Sequence, residues 1–108
     1  MCWYGSEYDW ISRDPEIVST YEKDPKCNFI FTLNGFENLA KLLWYVSNEK
    51  WFSTYPKTLP TYLIAGSADP VGNYGKGVLN VFNRLSLNGC DVEMKIYENA
   101  RHELVNET

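Results

Sequence analysis

The feature that most constrains this chain is a continuous apolar run, Thr61-Tyr-Leu-Ile-Ala65, closed by Gly66. A strand-length apolar segment without alternation reads as an interior strand of a parallel sheet, covered on both faces. After it, Val78, Val81, Phe82 and Leu85 share one face of a helix expected over 75–88, and Gly89 stands where a left-handed cap is wanted. Residues 91–97 then alternate, with Val92, Met94 and Ile96 on one side and Asp91, Glu93 and Lys95 on the other. That pattern is a half-exposed strand, expected at a sheet edge. Strand, helix and strand in succession pair the two strands in parallel through a right-handed crossover. Two strands alone cannot bury a doubly covered sheet. The fold class is therefore α/β, and the chain is expected to be a fragment whose further sheet neighbours lie in another segment.

The half before Pro56 carries two helix patterns. Asp14-Pro15-Glu16 places a cap, a proline at the first helical position and an acid in the first turn, and Asp24-Pro25 ends that helix. A second helix is expected from Asn34, with Asn34 and Glu37 as a capping box, to about Lys50. Phe36, Leu39, Ala40, Leu43 and Val46 recur at helical spacing, and Leu42 and Trp44 lie off that stripe. Such a helix is expected to be buried on two sides or to line a pocket. The chain divides accordingly into 1–55 and 56–108.

Charge and cysteine content exclude several function classes. Ten basic against fourteen acidic residues give a net charge of -4, against duplex or other nucleic-acid binding. No apolar run approaches the roughly 18 residues of a membrane span, so no transmembrane segment is expected. The start, MCWYGSEYDW, lacks the charged and apolar regions of a signal peptide. Cys2, Cys27 and Cys90 are an odd number without metal-binding spacing, which fits reduced thiols and a cytoplasmic location. His102 is the only histidine, so no multi-histidine metal site is expected, and no cofactor is implied.

In open parallel sheets, ligands sit beyond the carboxyl ends of the strands. Two loops leave such ends: Gly66-Ser-Ala-Asp69-Pro-Val-Gly72 and Glu98-Asn-Ala-Arg-His102-Glu103. A helix over 75–88 is about 21 Å long, and a return strand over 91–97 spans about 23 Å. The chain thus comes back to the same sheet edge, where Asp69 and His102 are expected side by side. A carboxylate beside an imidazole fixes its tautomer and steadies the cation formed when it takes a proton. Gly72-Asn-Tyr-Gly75-Lys76-Gly77 is not a phosphate loop: Pro70 stands where its first glycine is required and Gly77 replaces Ser/Thr. Cys90 follows a turn glycine and has no second histidine to activate it. The aromatics Trp44, Tyr45, Trp51, Phe52 and Tyr55 are expected to be core.

These motifs carry a family resemblance. LPTYLIAGSADPVGNYGKGV followed by DVEMKIYENARHELVNE resembles the C-terminal end of α/β-hydrolases, and within them the monoacylglycerol lipase and lysophospholipase group of serine hydrolases. WISRDPEIVSTYEKDPKC and FTLNGFENLAKLL are similar to that group's cap and the helix returning to the sheet. The resemblance implies the last two parallel strands of the fold with their crossover helix, preceded by cap-region helices. Residues 1–55 would then be part of the cap or lid with its returning helix, and 56–108 the segment carrying Asp69 as triad acid and His102 as triad base. The fold's chain order is serine, acid, histidine, with the serine in a GxSxG elbow. No GxSxG occurs in these 108 residues; Tyr4-Gly5-Ser6-Glu7-Tyr8 and Ala65-Gly66-Ser67-Ala68-Asp69 both lack the second glycine.

The resemblance implies a serine hydrolase of fatty-acyl esters, with the nucleophile and oxyanion hole outside this chain and the isolated chain inactive. The alternatives are another α/β-hydrolase activity, aminopeptidase or general carboxylesterase, or a non-catalytic remnant that only self-associates. The expected partners are a small-molecule acyl ester for the parent protein, and either the missing N-terminal half or a homo-oligomer for the chain.

Overall fold

The computed structural model describes residues 5–108; the Cys2 thiol and the first four residues of the 1–55 unit lie outside them. Four α-helices and two strands follow in the order α1 (Pro15–Lys23), α2 (Leu33–Val46), α3 (Glu49–Thr54), β1 (Thr61–Gly66), α4 (Lys76–Leu87) and β2 (Val92–Tyr97), with a 3₁₀ turn at Leu104–Asn106. β1 and β2 pair in parallel, from Thr61 opposite Val92 to Gly66 opposite Tyr97. The strand–helix–strand unit is therefore present as the apolar run and the alternating strand require.

Local chemistry accounts for the element ends. The Asp14 carboxylate accepts from the Glu16 amide, with Pro15 at the first position of α1 and Asp24 at its end. α4 stops at Asn88, and Gly89 follows with φ +78°, the left-handed conformation in which a side chain is strained. The second helix departs from expectation at both ends. Its cap is Thr32, whose hydroxyl accepts from the Gly35 amide, so Asn34 lies inside the helix and forms no capping box. It does not reach Lys50 either: the Asn48 side chain accepts from the Trp51 amide and starts the separate helix α3. A side chain able to cap a new helix wins over continuation of the old one.

Part of the core lies between α4 and one face of the sheet, and Ile11 and Val18 of the N-terminal half are buried as well. Leu63, Ala65, Met94 and Ile96 fall on that face, and Ala65 and Leu85 are buried. Phe52 of α3 is buried and carries the Arg84 guanidinium 3.8 Å above its ring, with Arg84 also paired to Glu49. The opposite sheet face is open: Tyr62 is 56% exposed and Ile64 47%. β1 was expected to be covered on both faces, and among the described residues one face is bare because every covering helix lies on the other. α2 likewise corrects the expectation of two buried sides: it has no buried residue, and Leu42, Leu43, Trp44 and Tyr45 are all exposed. Of the expected aromatic core, only Phe52 is fully buried. The accessible surface is 7869 Å², against about 6,200 Å² for a folded monomer of this mass. The radius of gyration is 16.1 Å, where a compact domain of this length measures about 13 Å.

Candidate active site

The two loops at the carboxyl ends of β1 and β2 are stitched together. The Ser67 amide donates to Tyr97 O (3.0 Å), the Ala68 amide to Ala100 O (2.9 Å), and the Asn99 amide to the Ser67 hydroxyl (2.7 Å). Gly66 makes this approach possible. A Cβ there would lie 2.5 Å from the Ala100 carbonyl carbon and 2.6 Å from Arg101 O, inside any tolerable contact.

The stitching brings the two candidate residues into contact. His102 Nδ1 lies 2.9 Å from Asp69 Oδ2. The other oxygen, Oδ1, accepts from the Val71 amide at 2.9 Å, in the turn that Pro70 opens. With both oxygens engaged, the carboxylate is fixed in orientation; its side chain is 10% exposed and the imidazole 39%. A hydrogen bond from Nδ1 to a fixed carboxylate leaves Nε2 as the basic nitrogen. This pair can take a proton from a nucleophile and return it to a leaving group.

Sequence reasoning missed what holds His102 from the other side. The Trp10 ring sits against the imidazole, with centroids 5.0 Å apart. The His102 amide donates to Trp10 O (3.2 Å) and the Glu103 amide to Ile11 O (2.9 Å). Arg101 donates through its guanidinium to Asp9 O and Ser12 O. Glu107 takes the Arg13 amide on Oε1 (2.6 Å) and both Arg13 Nε (2.8 Å) and the Arg101 amide (3.0 Å) on Oε2. Burial pushes the Glu107 carboxyl up, but hydrogen bonding from Ser12, Arg13 and Arg101 outweighs it and holds the group below its ordinary value. Apart from the Arg101 amide on Glu107, these partners lie 89 to 94 residues apart in sequence, and no local pattern announces them.

Other candidate chemistry is not gathered here. Cys27 and Cys90 are free thiols, and burial with the nearby Asp24 carboxylate pushes Cys27 up, away from thiolate character. Among the described residues, no group of three His, Cys, Asp or Glu side chains is placed to hold a metal. No helix there is long and apolar enough to cross a membrane. A cavity of about 530 Å³ opens between Tyr8, Tyr21, Phe29, Ile30, Phe31 and Phe36.

The chain is similar to known proteins over most of its length. The chain resembles a highly thermostable carboxyl esterase from Bacillus coagulans, solved in complex with glycerol, at 38% identity and a TM-score of 0.83 over 91% of this chain and 32% of that one. It resembles a lipase in its open form at 34% identity and a TM-score of 0.84, over 93% of this chain and 33% of the other. The chain thus spans about a third of the length of these structures. No curated protein matches it. The family model described as Serine aminopeptidase, S33, matches residues 4–108. The chain belongs to that hydrolase family, and its two strands and crossover helix are part of an α/β-hydrolase fold.

Proposed function

We propose that this chain supplies the acid and base of a serine hydrolase acting on fatty-acyl esters, of the monoacylglycerol lipase and lysophospholipase kind. The observation that carries the reading is the 2.9 Å contact between Asp69 Oδ2 and His102 Nδ1 at the carboxyl ends of two parallel strands. A serine from a segment outside these 108 residues attacks the acyl carbon. His102 Nε2 takes the hydroxyl proton as the oxygen–carbon bond forms and returns it to the leaving alcohol as the ester bond breaks. Water repeats the cycle on the acyl-enzyme and releases the carboxylic acid. Asp69 holds the imidazole tautomer and stabilises the imidazolium.

Residues 1–55 act as part of the cap over the acyl chain, together with the helix returning to the sheet. The apolar cavity between Tyr8, Phe29, Ile30, Phe31 and Phe36 supports this, since an acyl chain binds by burial of apolar surface. Residues 56–108 carry the reacting side chains. A cytoplasmic location fits the free thiols of Cys27 and Cys90.

A second reading, removal of N-terminal amino acids, is favoured by the name of the matching family. The two are separated in a hybrid in which residues 10–108 replace the third of the Bacillus coagulans esterase that they match. The hybrid is expected to hydrolyse p-nitrophenyl esters, faster with longer acyl chains. Turnover of amino-acid p-nitroanilides in preference to the esters would overturn the ester reading.

A further inference from the structure

His102 lies on a loop with no regular structure between the end of β2 and the 3₁₀ turn at Leu104–Asn106. Beyond the stitching of Asn99 and Ala100 to the β1 loop, its backbone is held by carbonyls of the 9–13 segment, which is itself irregular: Trp10 O takes the His102 amide and Ile11 O the Glu103 amide. A third group ties these two irregular segments together. The Glu107 side chain is 6% exposed and has donors from both sides, the amide and Nε of Arg13 and the amide of Arg101. Hydrogen bonds to a buried carboxylate are about twice as strong as neutral ones. The Arg101 guanidinium adds a second tie to the same segment, through Asp9 O and Ser12 O.

We propose that Glu107 is a positioning residue for His102: by joining the Arg101 amide to Arg13, it locks the histidine loop against the 9–13 segment and sets the imidazole between Trp10 and Asp69. The inference rests on the reading of Asp69 and His102 as acid and base. Glu107 touches neither ring nor reacting atoms and acts through its neighbours on the chain. A merely stabilising carboxylate would change the melting temperature and leave the imidazole as it is.

His102 is the only histidine, so a ¹⁵N imidazole spectrum of the chain reports one ring. In alkaline buffer the neutral ring of the unaltered chain is expected as the Nδ1–H tautomer, with cross-relaxation between its protons and the Trp10 indole. Asp69→Asn should relax the tautomer toward a solvated mixture; if it does not, the acid–base reading itself fails. Glu107→Gln keeps the side-chain size and removes the charge. It is expected to weaken the Trp10–His102 cross-peaks several-fold and to relax the tautomer in a chain that still melts cooperatively. Unchanged cross-peaks and tautomer in Glu107→Gln, beside a changed Asp69→Asn, overturn the proposal and leave the acid–base reading standing. If Glu107→Gln does not fold, Arg13→Gln decides. It cuts the Nε contact and leaves both amides on the carboxylate, and it is expected to produce the same changes to a smaller degree. An imidazole unaltered by Arg13→Gln likewise overturns the proposal.

Discussion

Replacing Gly66 by alanine tests whether the two site loops depend on their close approach. The new Cβ would stand 2.5 Å from the Ala100 carbonyl carbon and 2.6 Å from Arg101 O. Carbon atoms pack at about 3.5–4.0 Å, so the 100–101 backbone must retreat by about 1 Å. It cannot do so freely, because the Ala68 amide donating to Ala100 O and the Asn99 amide donating to the Ser67 hydroxyl hold it. His102 lies two residues beyond Ala100, and its 2.9 Å contact with Asp69 has no slack of that size, since hydrogen bonds fade past about 3.2 Å. Overpacking of this kind costs about 1–3 kcal/mol, which in a domain of this size lowers the melting temperature by about 4–8 °C for each kcal/mol. Gly89→Ala is the control: it meets nothing within 4 Å and is strained only by its φ of +78°, a cost of about 1 kcal/mol. Thermal melts by circular dichroism, with the imidazole spectrum of each variant, give the readout. Gly66→Ala should melt lower than Gly89→Ala and lose the Nδ1–H tautomer, which Gly89→Ala keeps. A Gly66→Ala chain that matches the unaltered chain in both respects would refute the reasoning.

Three further outcomes are expected. The Glu107 carboxyl sits below its ordinary value of 4.5 when folded, so its contribution to stability is complete above that pH and is lost as the pH falls through the lower folded value. Glu107→Gln removes this carboxyl, so an acid melting series should show a shallower loss for it than for the unaltered chain. The chain should self-associate through surface such as Leu42, 57% exposed, and Trp44, 74% exposed; light scattering giving a 12.5 kDa monomer at micromolar concentration would contradict this. Purified alone, the chain should hydrolyse p-nitrophenyl esters no faster than background, because nucleophile and oxyanion hole carry the major catalytic effects. Turnover that survives further purification and disappears in His102→Ala would point to Ser6, Ser67 or Cys90 as nucleophile.

The parts legible in the sequence were those with local causes. The apolar run at 61–65, the alternation at 92–97 and the glycine at 89 each specify backbone through their immediate neighbours, and helix and strand lengths then bring Asp69 and His102 to one edge. The break between α2 and α3 is also local: the apolar stripe ends at Val46, and Asn48 caps a new helix before the expected end at about Lys50. Burial is less legible. The apolar sides of α2 and of β1 have no cover among the described residues, so the pattern predicts cover and the structure shows exposure. The ties from Arg13 to Glu107 and from Arg101 to Asp9 and Ser12 lie outside any sequence window, and charges at the two ends of a chain look like ordinary solvated residues until the fold joins them.

The central claim is that Asp69 and His102 are the acid and base of an ester hydrolase, and the turnover number of the hybrid with and without His102 tests it most directly. His102→Ala, with p-nitrophenyl butanoate at saturation, is expected to reduce turnover by about 10⁴-fold, and Asp69→Asn by a similar factor. A His102→Ala hybrid that folds and turns over within a few-fold of its parent would contradict the account.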